Sequence, residues 1–497
     1  MSVPATVASQ VQQSDVIVGQ LVDGQWGSAT ADEWIDIESP RDKSMVGRVP
    51  RARSEDVEAA VRAARAAFPA WRDLAPRARG RMLLDIAAAL EGEAERIARL
   101  LSLENGNALR TQSRGEVAFA ADTFRYFGGL ASEAKGESIP LGASVLDYSR
   151  REPYGVVGAI VPWNAPVQLA AMKIAPALAL GNTIVLKTAE AAPLAVLLLS
   201  RLAAGLLPPG VLNVLTGYGD EAGEALTRHP DIDKISFTGS TAVGSRVLTA
   251  AAERIVPVSL ELGGKNPQIV FPDADEDWVA DGVIAGMRFF RQGQSCTAGS
   301  RLFVHRTIVD SFVEKLTSRL SQMRVGDPLD ERNDIGAIVN RKQFDRVCGY
   351  IEDGLAQDGV GVPLGGLPPS IGPLAGGYYV TPTVLVNVRN SWRIAQEEIF
   401  GPVVCAIPWE DEDDVLAQAN DTRYGLSAFV WTHDLGRGLR SAHRVNAGWV
   451  QVNQGGGQVL GQSYGGYKRS GMGREFSIEG AIESYTQSKH ISVNIQR

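Results

Sequence analysis

The segment Asp231-Ile232-Asp233-Lys234-Ile235-Ser236-Phe237-Thr238 runs into Gly239-Ser240-Thr241-Ala242-Val243-Gly244 and then into a helical stretch, Ser245–Glu253. A short strand that ends in a glycine-bracketed turn opening a helix is an α/β junction. Its backbone N–H groups and the Ser240 hydroxyl can receive a pyrophosphate at the positive end of the helix. The spacing is not G-x-G-x-x-G, so the segment alone is equally an ordinary turn.

The flanks repeat the pattern. Gly210–Thr216 is an apolar strand ending in Gly217-Tyr218-Gly219, and Asn182–Leu186 is a strand followed by Lys187-Thr188-Ala189-Glu190. A cation and an acid at a strand's carboxyl end suit ribose hydroxyls, and Glu190 would repel a 2′-phosphate. Upstream, Ser54 before Glu55-Asp56 reads as the cap of an amphipathic helix bearing Val57, Val61, Ala64 and Phe68. A second helical run covers Arg79 to Glu104 and stops at Asn105-Gly106. Strands alternating with helices predict a largely parallel α/β sheet.

A second α/β pattern follows Leu262. Asp275 is read as the cap of a helix with Val279, Val283, Met287 and Phe290 on one face, and Arg301–His305 is a strand before the helix Val309–Met323. Gly361 to Gly377 reads as a surface loop, and Asp411–Asp414 as a solvated helix start.

With 497 residues, two or more domains are expected. A hydrophobic share of 44% with 21% charged residues fits a globular protein, and a net charge of -8 without a basic run argues against nucleic acid as the main partner. Cys296, Cys348 and Cys405 are too few and scattered for a disulfide framework or a metal site. A reducing cytoplasm is the expected compartment. Met1 to Asp15 lacks the regions of a signal peptide and is expected to fray. The apolar stretches 156–186 and 193–215 are broken by Pro, Gly or charge, as buried elements rather than membrane spans are.

Cys348 and Cys405 read as small buried hydrophobes, on a helix and in an apolar strand. Cys296 differs, because Gly293-Gln294-Ser295-Cys296-Thr297-Ala298-Gly299 is a polar, glycine-flanked loop. Such a loop exposes the sulfur and aims N–H groups at whatever binds it. None of the five histidines lies near it in sequence. Glu261 closes the apolar strand Val256–Leu260 ahead of Gly263-Gly264, where burial would raise its pKa into the range of a general base. A thiol and a carboxylate base are what is needed to hold an acyl group and then hydrolyse it.

Together these segments resemble the aldehyde dehydrogenase superfamily, from about Gln20 to His490. Val161-Pro162-Trp163-Asn164 is similar to its oxyanion segment, Glu261-Leu262-Gly263-Gly264-Lys265 to its general-base motif, and Gly293-Gln294-Ser295-Cys296 to its nucleophile motif. Glu397-Glu398-Ile399-Phe400-Gly401-Pro402 resembles the nicotinamide-ribose segment, and 465–475 the C-terminal signature. The resemblance implies an α/β fold with a modified Rossmann cofactor domain (1–135 and 155–262), a catalytic domain (263–465) and a β-arm (136–154 and 484–497). The arm would make homodimers or homotetramers.

The resemblance further implies Cys296 as nucleophile, Glu261 as base, Asn164 as oxyanion donor, and Lys173 with Glu475 as a proton relay. The cofactor, NAD with NADP disfavoured but not excluded, would meet Pro162, Trp163, Lys187, Glu190, Gly219, Phe237, Gly239, Ser240, Gly244, Leu262, Glu398 and Phe400. An aldehyde would meet Phe119, Ala165, Met172, Phe290, Ser295, Thr297 and Tyr464. The chain departs from the family at Thr188, at Ser463-Tyr464 in place of Pro-Phe, and at Ala165 and Met172 where larger rings are frequent. The last three open the channel, so a medium-to-bulky apolar or aromatic aldehyde is expected, with no membrane or nucleic-acid partner.

Overall fold

The computed structural model describes residues 19–496, so the expectations for Met1 to Asp15 fall outside the described residues. Two large sheets organise the chain. In the first, the parallel strands Val258–Glu261, Lys234–Thr238, Val156–Ile160, Thr183–Lys187 and Leu212–Leu215 lie side by side in that order. Antiparallel edges close it: Gly471–Met472 beside Val258–Glu261, and Gln20–Val22 with Gln25–Gly27 beyond Leu212–Leu215. Three of the five core strands are wholly buried and the other two each have a single partly exposed end residue, which explains runs such as Thr-Ile-Val-Leu-Lys that do not alternate. Among the parallel strands the chain starts at the central Val156–Ile160, builds outward on one side, then returns to build the other. Its order therefore reverses between Val156–Ile160 and Lys234–Thr238, and ligands bind open α/β sheets at the carboxyl ends of such a switch point.

The second sheet aligns Thr383–Val386, Val403–Trp409, Arg301–His305, Pro267–Val270, Ser427–Trp431 and Trp449–Val452 in parallel. A third sheet pairs Val145–Pro153 with Thr486–Asn494 and with Ser138–Ile139, all antiparallel. No helix among the described residues is long and apolar enough to cross a membrane.

Several local expectations need correction. The helix after Lys234–Thr238 begins at Thr241, not Ser245, because Ser240 is its N-cap and accepts from the Val243 N–H at 3.3 Å. The run from Arg79 to Glu104 is two helices, Pro76–Gly92 and Ala94–Asn105, broken where Glu93 leaves helical geometry; Gly106 then ends the second at φ 81°. Ser54 does not cap its helix. Its hydroxyl turns to Glu55, while Asp56 accepts the Arg53 N–H at 2.8 Å. Asp275 is no cap either, being engaged by Ser311 and Lys315 from another helix. The helix there is Asp277–Gly286, and Phe290 lies beyond it in a 3-10 turn. Gly361–Leu364, inside the expected loop, is an antiparallel edge strand.

Candidate active site

The nucleophile loop is pinned by close backbone approach. A Cβ on Gly293 (φ 64°) would meet the Gly401 carbonyl oxygen at 2.1 Å, and one on Gly264 would meet the Cys296 oxygen at 2.4 Å. Only glycine lets the loop press against both the base-bearing segment and the Glu397–Pro402 segment. Asn266 Nδ2 donates to the Cys296 oxygen at 2.8 Å and to the Ala298 oxygen at 3.0 Å. Arg288 and Gln292 hold left-handed φ values of 60° and 51°, the stored strain found near active sites.

Asn164, buried at the end of the Val156–Ile160 crossover, donates from Nδ2 to the Gln294 oxygen at 2.9 Å. That bond ties its amide to the nucleophile loop and leaves the second Nδ2 hydrogen free of it. Burial pushes the Cys296 thiol up to about 11; its hydrogen bond with Tyr464 opposes this, the Glu398 and Glu261 charges add to it, and Arg291 opposes it. His229, His305, His433 and His490 bond to Glu58, Thr307, Glu276 and Asp147 instead.

Glu261 sits at the last position of its strand, 5% exposed, with neither carboxylate oxygen hydrogen-bonded. Burial raises its pKa well above the usual carboxylate value; the Glu475 charge adds to this, and Lys173 and Arg474 oppose it. Lys173 Nζ pairs with Glu475 Oε1 in full burial, and Glu475 Oε2 is left without a partner. Residues 464–475 wrap this centre, with Gly471 pairing to Glu261 and Tyr464 bridging Glu475.

The cofactor candidates gather at the switch point. Gly239 and Gly244 leave a floor that a side chain would fill: their Cβ atoms would meet the Phe237 ring at 2.5 Å and Leu262 Cδ2 at 2.4 Å. Pro162 and Trp163 follow the central strand, and the Trp163 ring stands edge-on to Phe400 at 5.3 Å. Lys187 Nζ meets Glu190 Oε2 at 3.2 Å, with Glu190 well exposed. Gly219 opens the π-turn Gly219–Gly223, and Asp220 beside it reaches Lys187 electrostatically. Glu398 Oε1 accepts the Gly264 N–H at 2.9 Å, and burial raises Glu398 to about 7. The helix N-terminus, the glycine floor and the paired Lys187–Glu190 fit a dinucleotide.

Of the substrate candidates, Phe119 and Tyr464 meet through Phe476, whose ring lies 5.7 Å from one and 5.0 Å from the other. Phe290 is half-buried against the same core. The Ser295 hydroxyl is 3.1 Å from Thr297 Oγ1, which also accepts from Arg288 Nε at 3.2 Å. Ala165 is the buried N-cap of the helix Pro166–Ala179. Met172 is packed into the core, where its sulfur accepts from Thr123 at 3.7 Å rather than offering a free face.

Sequence reasoning missed Phe476, Arg291 and Lys234. Arg291 lies 3.6 Å from Glu116 Oε2, and Glu116 Oε1 accepts the Val167 N–H at 3.1 Å, at the start of the helix that follows Asn164. A cation five residues before a candidate thiol was the available signal. Lys234 Nζ donates to Ser259 Oγ at 2.7 Å, and burial, then repulsion from Lys173, lowers it to about 7. A lysine inside Lys-Ile-Ser-Phe-Thr, a strand buried on both faces, was its signal.

The aldehyde dehydrogenase family model matches residues 26–491. An aldehyde dehydrogenase of Vibrio cholerae is 41% identical over 478 residues, 95% of this chain and 94% of its own. An acetaldehyde dehydrogenase of Pseudomonas aeruginosa is 40% identical over 483 residues, 96% of this chain and 94% of its own. The NAD+ complex of an aldehyde dehydrogenase from Bacillus cereus is similar at a TM-score of 0.94 and 36% identity, covering 100% of both chains.

Proposed function

The chain belongs to the aldehyde dehydrogenase family, and on that premise we propose that it oxidises aldehydes to carboxylic acids with NAD, through a Cys296 thioester hydrolysed by Glu261. The observation that carries the hydrolytic reading is Glu261 itself, a buried carboxylate with two unpartnered oxygens that shares an electrostatic environment with the thiol.

The Cys296 thiolate adds to the aldehyde carbon, forming the C–S bond and an alkoxide. The free Nδ2 hydrogen of Asn164 and the Cys296 main-chain N–H are the donors for that oxygen, each worth about 3–4 kcal/mol in comparable sites. Bound NAD supplies the acceptor for the hydride that leaves this carbon. With the hydride gone, the acyl group is held on sulfur as a thioester. Glu261 takes a proton from water, the water oxygen attacks the acyl carbon, the C–S bond breaks, and acid and thiolate separate. The Lys173–Glu475 pair beside Glu261 is the route by which that proton leaves. Lys187 and Glu190 would hold the adenosine ribose, where the Glu190 charge would disfavour a 2′-phosphate. Glu398 and Phe400 would hold the nicotinamide end.

The rings of Phe119, Tyr464 and Phe476 make an apolar wall beside the thiol, which supports medium-to-bulky apolar or aromatic aldehydes. The three-stranded sheet, with Leu146 and Val493 exposed, serves as the arm of a homodimer or homotetramer in the cytoplasm. The test is NADH formation over acetaldehyde, octanal and benzaldehyde, with and without CoA, repeated with NADP. Acid as product, indifference to CoA and a higher kcat/KM with NAD are expected. Acyl-CoA as the main product would overturn the hydrolytic reading.

A further inference from the structure

Cys296 Sγ lies 3.7 Å from the hydroxyl oxygen of Tyr464. The tyrosine is fixed on every side. Its ring stands against Trp449 at 5.9 Å and Phe476 at 5.0 Å. Its main-chain N–H donates to the Glu475 carbonyl oxygen at 3.2 Å and its own carbonyl oxygen accepts the Glu475 N–H at 2.8 Å. A thiol facing a phenol leaves the donor undecided. A thiolate has no proton to give, so once Cys296 is ionised the phenol must be the donor and the contact becomes charge-assisted.

We propose that Tyr464 is an additional catalytic residue whose hydroxyl donates to the Cys296 thiolate, so that ionising the buried thiol costs less and the sulfur is aimed before the aldehyde arrives. The proposal rests on Cys296 being the nucleophile. The phenol keeps its proton throughout; burial raises the Tyr464 pKa well above its usual value, so it remains a donor at any working pH. The other groups facing the sulfur divide. Glu398 and Glu261 disfavour the thiolate, while Arg291 favours it, and Arg288 is a further cation within electrostatic reach. Tyr464 is the one of these that the sulfur hydrogen-bonds. Its ring walls the pocket while its hydroxyl serves the sulfur, a separation of roles that one oxygen atom decides.

Tyr464→Phe deletes that oxygen and keeps the ring. The measurement is the iodoacetamide alkylation rate of Cys296 against pH in the full-length enzyme, corrected with Cys296→Ala. In Tyr464→Phe the midpoint should move up by about one pH unit, so the rate at pH 7 falls about tenfold. The limiting rate at high pH should be equal or higher, because a thiolate freed of its donor is the better nucleophile. NADH turnover at pH 7 should fall in parallel and recover at high pH. A profile superimposable on the parent's would overturn the proposal. So would a Tyr464→Leu variant that changes KM for long aldehydes while Tyr464→Phe changes nothing, since Tyr464 would then be a wall alone. Alkylation needs no aldehyde, so a parent that oxidises none, yet whose midpoint moves in Tyr464→Phe, would reject the functional reading and keep the hydrogen bond.

Discussion

The cofactor cradle and the thiol pocket are built in opposite ways. The cradle around Gly239–Gly244 is a local product, one strand, one turn and one helix N-terminus, and its recognition surface is mostly backbone with glycines where side chains would intrude. The thiol pocket is assembled from Asn164, Lys173, Glu261, Cys296, Tyr464 and Glu475, which lie on five separate segments and are nearly all buried. Both Glu261 carboxylate oxygens and Glu475 Oε2 are left unpaired, a state that is costly unless reacting groups complete it. The cradle therefore depends on the shape of a short segment. The pocket depends on single atoms.

The largest effect should follow loss of one such atom. Cys296→Ala removes the sulfur proposed to carry the acyl group, and turnover should fall by at least about three orders of magnitude, as for other covalent nucleophiles. NAD affinity, measured by titration, should stay within about twofold, because the cradle does not use the sulfur. Turnover within tenfold of the parent would show that the two regions are not divided as described.

Glu261→Gln tests the pocket's second half. Deacylation should slow by about 10²–10³-fold, the range of general-base catalysis, while hydride transfer is less affected. Stopped-flow NADH absorbance should then show a burst equal to the enzyme concentration before a slow steady state. In the parent, burial places the Glu261 pKa above the ordinary carboxylate range, so the base gains its active, ionised form as pH rises and the deacylation rate should climb with it. That climb should disappear in Glu261→Gln. Equal losses in both steps would give Glu261 some other task.

This difference also explains what is legible in the sequence. The Asp231–Gly244 junction announces itself because strand, turn and helix are contiguous, and only the bounds differ: the strand begins at Lys234 rather than Asp231, and the helix at Thr241 because Ser240 is its cap. The break at Glu93 is illegible because Glu-Gly-Glu carries no strong stop, and only the packing of two helices decides it. In the pocket, Cys296 and Glu261 are visible through their glycine neighbours. The partnership of Tyr464 with the thiol, and of Arg291 with Glu116, is not visible, because each joins residues more than 160 positions apart. The resemblance to a family supplies the order of the motifs and is silent on these contacts.

Gly244→Ala tests the cradle itself. The added Cβ would meet Leu262 Cδ2 at 2.4 Å, and accommodating it costs about 1–3 kcal/mol, so the KM for NAD should rise by about tenfold or more. Cys296 alkylation should be unchanged, since the turn and the thiol share no atoms. A loss of thiol reactivity equal to the loss of cofactor affinity would mean that the glycine supports the whole domain rather than a binding surface.

The smallest effect belongs to the wall between the two regions and solvent. Phe119 contacts Phe476, and Phe476 contacts Tyr464, which meets the sulfur; an aldehyde reaching Cys296 along these rings trades water for aromatic surface. Each methylene so covered contributes about 0.8 kcal/mol, so kcat/KM should rise about fourfold per carbon from acetaldehyde until the wall is covered. Phe119→Ala removes the outermost ring and leaves the chemistry untouched. It should lower kcat/KM for octanal and benzaldehyde severalfold while acetaldehyde, too short to reach Phe119, changes little. The slope of kcat/KM against chain length is the quantity to compare. If acetaldehyde is already the best substrate of the parent, or if Phe119→Ala lowers all three aldehydes equally, the rings serve the packing of the core and the preference for bulky aldehydes falls.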